Sequence, residues 1–281
     1  MKIAKTHSLG NDFVVIRRNG APGEADADLV RKICDRHTGA GADGVLYISV
    51  EDAAAGRVGF RIFNSDGTEA ELSGNGLRCA AATLYHDGVI KAPRIVFQTT
   101  AGERPCELLT QNGNVFTFKV DMGVPSFASA EIPFDDGSPH ERIVDYPLTI
   151  QHKAYAVTCV NVGNPHCSVF VERFFPPRVL WNQIGNEIES HPFFPKKTNV
   201  EFVRVINKQE IEVLFWERGA GETLSSGTGS CAAAVAAMLK GLTANEVKVW
   251  TTLGQLMVRW ENGRIFQSGP AEVVYIGEYF G

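Results

Sequence analysis

Along the chain, apolar residues recur at three- and four-residue intervals over 26–37, 76–86, 178–190 and 228–240, with polar residues between them. That spacing predicts four helices. Short alternating or β-branched and aromatic runs predict strands over 13–16, 45–50, 58–64, 94–99 and 115–120. A second series is predicted over 154–161, 168–171, 199–205, 210–216, 246–250 and 256–260. The opening MKIAKTHSLGNDFVVI reads as strand and not as a signal peptide, because it has neither an apolar central run nor a small-residue cleavage pattern. Residues 122–145 carry three prolines and an Asp-Asp-Gly turn, which predicts a crossing between two halves.

The halves echo one another. Gly10-Asn11 recurs as Gly163-Asn164, and Ser73-Gly74-Asn75-Gly76 recurs as Ser226-Gly227-Thr228-Gly229, both displaced by 153 positions. Each Ser-Gly-x-Gly loop runs into an alanine-rich helix pattern, with Ala80-Ala81 matched by Ala233-Ala234 at the same displacement. Glycine-rich tetrapeptides match by chance often enough that one loop alone says little. Three features sharing one displacement imply a duplicated fold with a pseudo-twofold axis, so that the equivalent loops are expected to meet at a cleft between domains, where small-molecule sites are favoured.

Length and composition narrow the partners. A chain of 281 residues accommodates two domains, and 44% apolar with 21% charged residues is ordinary for a globular protein. A net charge of −5 without any dense basic cluster argues against a nucleic-acid or anionic-membrane partner. No apolar run approaches the roughly 18 residues of a membrane span, so a cytoplasmic location is expected. The six cysteines show no Cys-x-x-Cys pair or metal-ligand spacing. They read as buried thiols, and no metal is expected.

Each Ser-Gly-x-Gly segment stands immediately before a predicted helix. The free N–H groups and dipole of a helix start make an anion site, and glycine lets a ligand approach the backbone closely. The plainer reading makes Ser73 and Ser226 helix caps and the glycines turn residues. Two equivalent loops favour a shared role, the holding of one carboxylate from both sides. Racemisation or epimerisation at an α-carbon fits that symmetry, since one group removes a proton and another delivers one to the opposite face. The same N–H groups would stabilise charge developing on the carboxylate.

The segments NSDGTEAELSGNGLR (64–78) and WERGAGETLSSGTGSC (216–231) resemble the signatures of diaminopimelate epimerases. HSLGNDF (7–13), GNPHC (163–167) and Thr198-Asn199 match in the expected order, so the resemblance spans nearly the whole chain. It implies an α+β fold of two pseudo-symmetric domains, each a mixed, barrel-like β sheet around a central helix, with the active site in the interdomain cleft. The expected domains are 1–124 plus 272–281, and 125–271. It further implies conversion of LL- to meso-diaminopimelate without a cofactor, a step toward lysine and peptidoglycan, in a cytoplasmic homodimer. By motif position Gly74, Asn75, Gly227 and Thr228 would hold the reacting carboxylate. Asn11, Asn64, Asn164, Asn199, Glu217 and Arg218 would bind the amino-acid substrate. His166 and Glu217 would assist the two proton-transfer groups, and Tyr275 matches a position linked to dimerisation.

The sequence departs from the family where the chemistry is done. The pattern has cysteine before Gly-Asn-Gly and before Gly-Thr-Gly, whereas Ser73 and Ser226 stand here. A thiol titrates near 8.5 and falls further at a helix N-terminus, but a serine hydroxyl is far less acidic. Cys79 and Cys231 lie more than a helical turn beyond the serines and do not replace them. Three readings stay open: an epimerase altered so as to trap its ligand, a family branch that uses serine for epimerisation or a related isomerase or lyase reaction, and a silent member that only binds a diaminopimelate-like amino acid.

Overall fold

Lys2–Ser8 and Asn11–Arg17 form an antiparallel hairpin, turned at Gly10, whose φ of 78° lies where glycine alone sits without strain. A computed structural model describes residues 1–18, 26–174 and 178–281. From the hairpin the chain crosses through helix α1 (Ala27–Cys34) to Gly44–Asp52, which pairs parallel with Asn11–Arg17. Asp26 caps α1 by accepting from the N–H groups of Asp28 and Leu29 at 2.9 and 3.3 Å, and Val30, Ile33 and Cys34 supply its buried stripe. Arg57–Asn64 returns antiparallel to Gly44–Asp52, and helix α2 (Gly74–His86) leads to the parallel strand Arg94–Thr99. Gly102–Asn112 and Val115–Gly123 follow antiparallel. The strand Arg264–Glu278 pairs with both Val115–Gly123 and Lys2–Ser8, which closes the sheet into a ring.

The chain divides into two compact units, Met1–Asp121 with Ser268–Gly281, and Met122–Gln267. The second repeats the plan of the first. Ile143–Ile150, Lys153–Asn161 and Pro165–Phe170 pair antiparallel in sequence, and helix α3 (Arg178–Glu189) leads to Asn199–Asn207, parallel to Pro165–Phe170. Glu210–Glu217 pairs antiparallel with Asn199–Asn207, helix α4 (Gly227–Leu239) follows, and Glu246–Thr251 with Gly254–Glu261 continues the sheet. Helices α2 and α4 begin and end 153 positions apart. Each is a central helix packed against several strands of its own unit.

Burial explains their composition. Residues 74–84 of α2 and 227–238 of α4 are all buried, so neither helix has a solvent face. A helix ringed by strands must be apolar on every side and slender enough for the sheet to close. The alanine runs Ala80-Ala81-Ala82 and Ala232-Ala233-Ala234 provide both properties.

Several elements differ from expectation. α1 stops at Cys34, not at 37, because the Asp35 carboxylate accepts from the N–H groups of His37 and Thr38 and turns the chain. α2 and α4 start at Gly74 and Gly227, directly after their serine caps. Gly102–Asn112 and Arg264–Glu278 are additional long strands, and the crossing segment 122–145 already enters the strand Ile143–Ile150 at its end. Among the described residues no helix is long and apolar enough to cross a membrane.

Candidate functional site

Both serines are helix caps in extended backbone. Ser73 Oγ accepts from Gly76 N at 3.0 Å, and Ser226 Oγ accepts from Gly229 N at 3.2 Å. A capping side chain satisfies the third N–H of a helix, while those of the first two residues, Gly74 and Asn75 or Gly227 and Thr228, also lack an intrahelical acceptor. With the helix dipole behind them, these groups make each loop an anion-binding helix start.

In the first unit a chain of hydrogen bonds orients the amides near the loop. Asp43 Oδ2 accepts from Asn11 Nδ2 at 2.9 Å, and Asn11 Oδ1 accepts from Asn75 Nδ2 at 3.0 Å. Asn75 Oδ1 accepts from Arg78, whose guanidinium also donates to Ser8 Oγ at 3.0 Å. Ser8 in turn donates to the carbonyl of Pro270 at 2.7 Å. Arg78 is fully buried inside the barrel, a position a guanidinium tolerates only when its donors are spoken for. On the outer side, burial pushes the Asp12 carboxyl up, but bonds from Arg36 and Lys5 outweigh it and leave Asp12 below the ordinary range. Asn64 is not drawn into this chain. It sits exposed at its strand end, and its amide donates to Thr68 Oγ1 at 3.0 Å.

The second unit brings ionisable side chains to its loop. Ser226 donates its hydroxyl to Glu217 Oε2 at 2.9 Å. His166, fully buried, places Nε2 2.8 Å from Asn164 Oδ1 and Nδ1 2.5 Å from Glu201 Oε1. Burial pushes the Glu201 carboxyl above its usual value; His166 opposes this and the nearby Glu217 adds to it. Asn199 spends its amide on the backbone, Oδ1 accepting from Arg218 N at 2.9 Å and Nδ2 donating to Pro165 O at 2.8 Å. It thereby ties the segment holding Asn164 and His166 to the one holding Glu217 and Arg218. Arg218 itself is exposed, with Nη1 on the carbonyl of Lys196 at 3.1 Å.

Neither nearby cysteine substitutes for a serine. Cys79 is fully buried and its thiol is pushed up to about 12 by desolvation. Cys231 is fully buried, and its Sγ accepts from Gln267 Nε2 at 3.3 Å. Tyr275 lies on Arg264–Glu278 with 45% of its surface exposed. Among the described residues no group of three or more His, Cys, Asp and Glu side chains could hold a metal ion.

Sequence reasoning passed over Ser8, Asp43, Glu189 and Glu201. Glu201 had a readable signal: it is a charged residue two positions after Asn199, hence on the same strand face, with apolar Val200, Phe202 and Val203 around it. Ser225 is a further case, since its hydroxyl, directly before Ser226, is buried and finds no partner among the described residues.

The chain matches the family described as diaminopimelate epimerase over residues 3–128 and 158–274. It belongs to the diaminopimelate epimerase family. The diaminopimelate epimerase of Pelotomaculum thermopropionicum is 44% identical, with 99% of each chain covered, and that of Moorella thermoacetica is 39% identical at the same coverage. Among solved structures, a hydroxyproline epimerase from Agrobacterium vitis superposes with a TM-score of 0.69 at 17% identity, covering 99% of this chain and 91% of that one. That likeness extends the fold beyond the epimerase family proper. The barrel-and-helix plan expected of a diaminopimelate epimerase is therefore the observed one.

Proposed function

We propose that this chain is an isomerase that interconverts LL- and meso-diaminopimelate by cofactor-free proton transfer at the α-carbon, in a cytoplasmic homodimer serving lysine and peptidoglycan synthesis. The observation that carries the reading is the matched pair of serine-capped, fully buried helices within a chain about 40% identical to diaminopimelate epimerases end to end. In it, N–H groups of Gly74, Asn75, Gly227 and Thr228 hold the reacting carboxylate and stabilise the charge that develops there. Asn11, Asn64, Asn164, Asn199, Glu217 and Arg218 bind the rest of the amino acid. His166 and Glu217 assist at the proton-transfer positions held by Ser73 and Ser226. The homodimer reading is supported by exposed Val274, Tyr275 and Ile276, consecutive apolar side chains on one strand.

Serine makes proton transfer slow, because a carboxylate such as Glu217 is too weak a base to hold a hydroxyl proton. Incubation with LL-diaminopimelate in D₂O, with α-deuterium read by NMR, tests the reading. Exchange by this chain supports a working serine enzyme. Exchange only in Ser73→Cys/Ser226→Cys, faster by about 10²-fold or more, supports an epimerase site held silent by the serines. Absence of exchange in both, with tight ligand binding, supports the binding-only alternative and sinks the isomerase.

A further inference from the structure

The buried pair His166–Glu201 raises a question that helix caps and carboxylate loops do not answer. Glu201 is 1% exposed, and the register sets Ser168 directly beside it and His166 beside Asn199 on the neighbouring parallel strand. Its Oε1 stands 2.5 Å from His166 Nδ1, and Oε2 accepts from Ser168 Oγ at a long 3.4 Å. The same Oε1 would lie 3.1 Å from a Cβ built on Gly229, so the carboxyl abuts the first turn of α4, where Ser226 and Glu217 meet.

Proton counting gives what such a pair holds in this arrangement. With the Asn164 amide set so that Oδ1 faces His166 Nε2, Oδ1 accepts and Nε2 is the donor. Between Nδ1 and Oε1 at 2.5 Å there must be a second, since two bare acceptors at that distance repel. The pair is therefore neutral overall, whether written as imidazolium with carboxylate or as imidazole with carboxylic acid. Neutrality is what permits a carboxyl with almost no solvent to sit near Glu217.

We infer that Glu201 is a positioning residue of this site, one that fixes the ring plane and the Nε2–H form of His166 so that the histidine presents a proton donor toward Asn164. The inference rests on the proposed function only in taking His166 and Asn164 as site residues. A carboxylate behind a functional histidine is a general device for setting its tautomer and orientation.

The test is ¹⁵N–¹H NMR of the full chain labelled at histidine, with His166 assigned through the cross-peaks lost in His166→Gln. A protonated Nε2 and a strongly shifted proton shared at Nδ1 are expected. A bare Nε2 overturns the inference, and this measurement needs no variant at position 201. In Glu201→Gln, whose amide has the same shape but cannot share the proton, the shared-proton signal is expected to vanish and the ring nitrogens to shift. Unchanged His166 resonances in that variant overturn the inference even if activity falls. Placed in Ser73→Cys/Ser226→Cys, Glu201→Gln is expected to lower kcat by about 10- to 100-fold with little change in KM, and a rise in KM alone counts against it. If the cysteine-restored chain shows no exchange at all, the isomerase reading fails while the NMR result still decides the role of Glu201.

Discussion

Ser226 and Glu217 are joined by a 2.9 Å hydrogen bond at the head of α4, and among the described residues the first unit shows no such pair at its own loop. At the displacement of 153 positions that relates the units, Glu217 corresponds to Asn64, a neutral amide occupied with Thr68. His166 corresponds to Phe13, and strand register sets Glu201 in the place of Leu46, since Glu201 pairs with Ser168 as Leu46 pairs with Val15. The two loops are thus alike in backbone and unlike in electrostatics. A thiol at 226 would be buried beside a carboxylate, and both conditions disfavour thiolate. A thiol at 73 would be half-buried at a helix start, which favours it.

Cysteine at position 73 is therefore expected to react faster than cysteine at position 226. With the single variants Ser73→Cys and Ser226→Cys at neutral pH and without ligand, iodoacetamide should label position 73 at least about tenfold faster, the effect of one unit in thiol acidity. The six native cysteines are all buried and serve as the unreactive background. Equal rates would mean that Glu217 does not govern its loop.

The caps predict a stability cost that is separate from chemistry. Ser73→Ala and Ser226→Ala each remove the acceptor for a buried helix start, Gly76 N or Gly229 N. Each should lower unfolding stability by about 1 kcal/mol, read as a shift in the urea midpoint. No shift in either would show that another acceptor takes over the cap.

The parts legible in the sequence are those fixed by local pattern. The serine caps, the alanine helices and the recurrence at 153 positions could all be read, because a buried helix must be slender and a repeated fold repeats its turns. Arg264–Glu278 escaped notice although its burial alternates regularly from Ile265 to Val273. Its buried face runs Ile265, Gln267, Gly269, Ala271 and Val273, so two of the five inward positions are polar or glycine and the period-two signal is diluted. Gly102–Asn112 was hidden by an opposite cause, a mostly exposed strand containing Pro105. The family motifs pointed to His166 and Glu217, but Glu201 and Asp43 act by touching residues 35 and 32 positions away, which no local spacing reports.

Glycine 229 offers a test of how tightly α4 fits its barrel. A Cβ there would lie 2.9 Å from Phe215 Cδ1 and 3.1 Å from Glu201 Oε1. At the equivalent Gly76 the nearest atoms are Leu46 Cδ2 at 3.2 Å and Ile62 Cδ1 and Ser73 Cβ at 3.3 Å. Alanine gains about 1 kcal/mol of helix preference over glycine, but overpacking a core costs about 1–3 kcal/mol. Gly229→Ala should be net destabilising and clearly worse than Gly76→Ala, measured by thermal or urea unfolding. The reverse order would mean that the Phe215 ring moves aside freely.

Glu189 links stability to pH through the turn that carries Glu217 and Arg218. Its carboxylate accepts from Trp216 Nε1 at 2.7 Å, Gly219 N at 3.1 Å and Lys197 Nζ at 3.1 Å. Burial pushes the carboxyl up, but these bonds outweigh it and leave Glu189 below its ordinary value. A carboxyl lowered in the folded state binds fewer protons there than in the unfolded chain, so its contribution is complete above the unfolded value, near 4.3. It is lost as pH falls from there through the folded value. Glu189→Gln should thus be less stable than the parent at pH 7, and the gap between their urea midpoints should narrow below about pH 4. A constant gap down to pH 3 would show that the Glu189 charge contributes nothing and that the turn is held by packing of Trp216 alone.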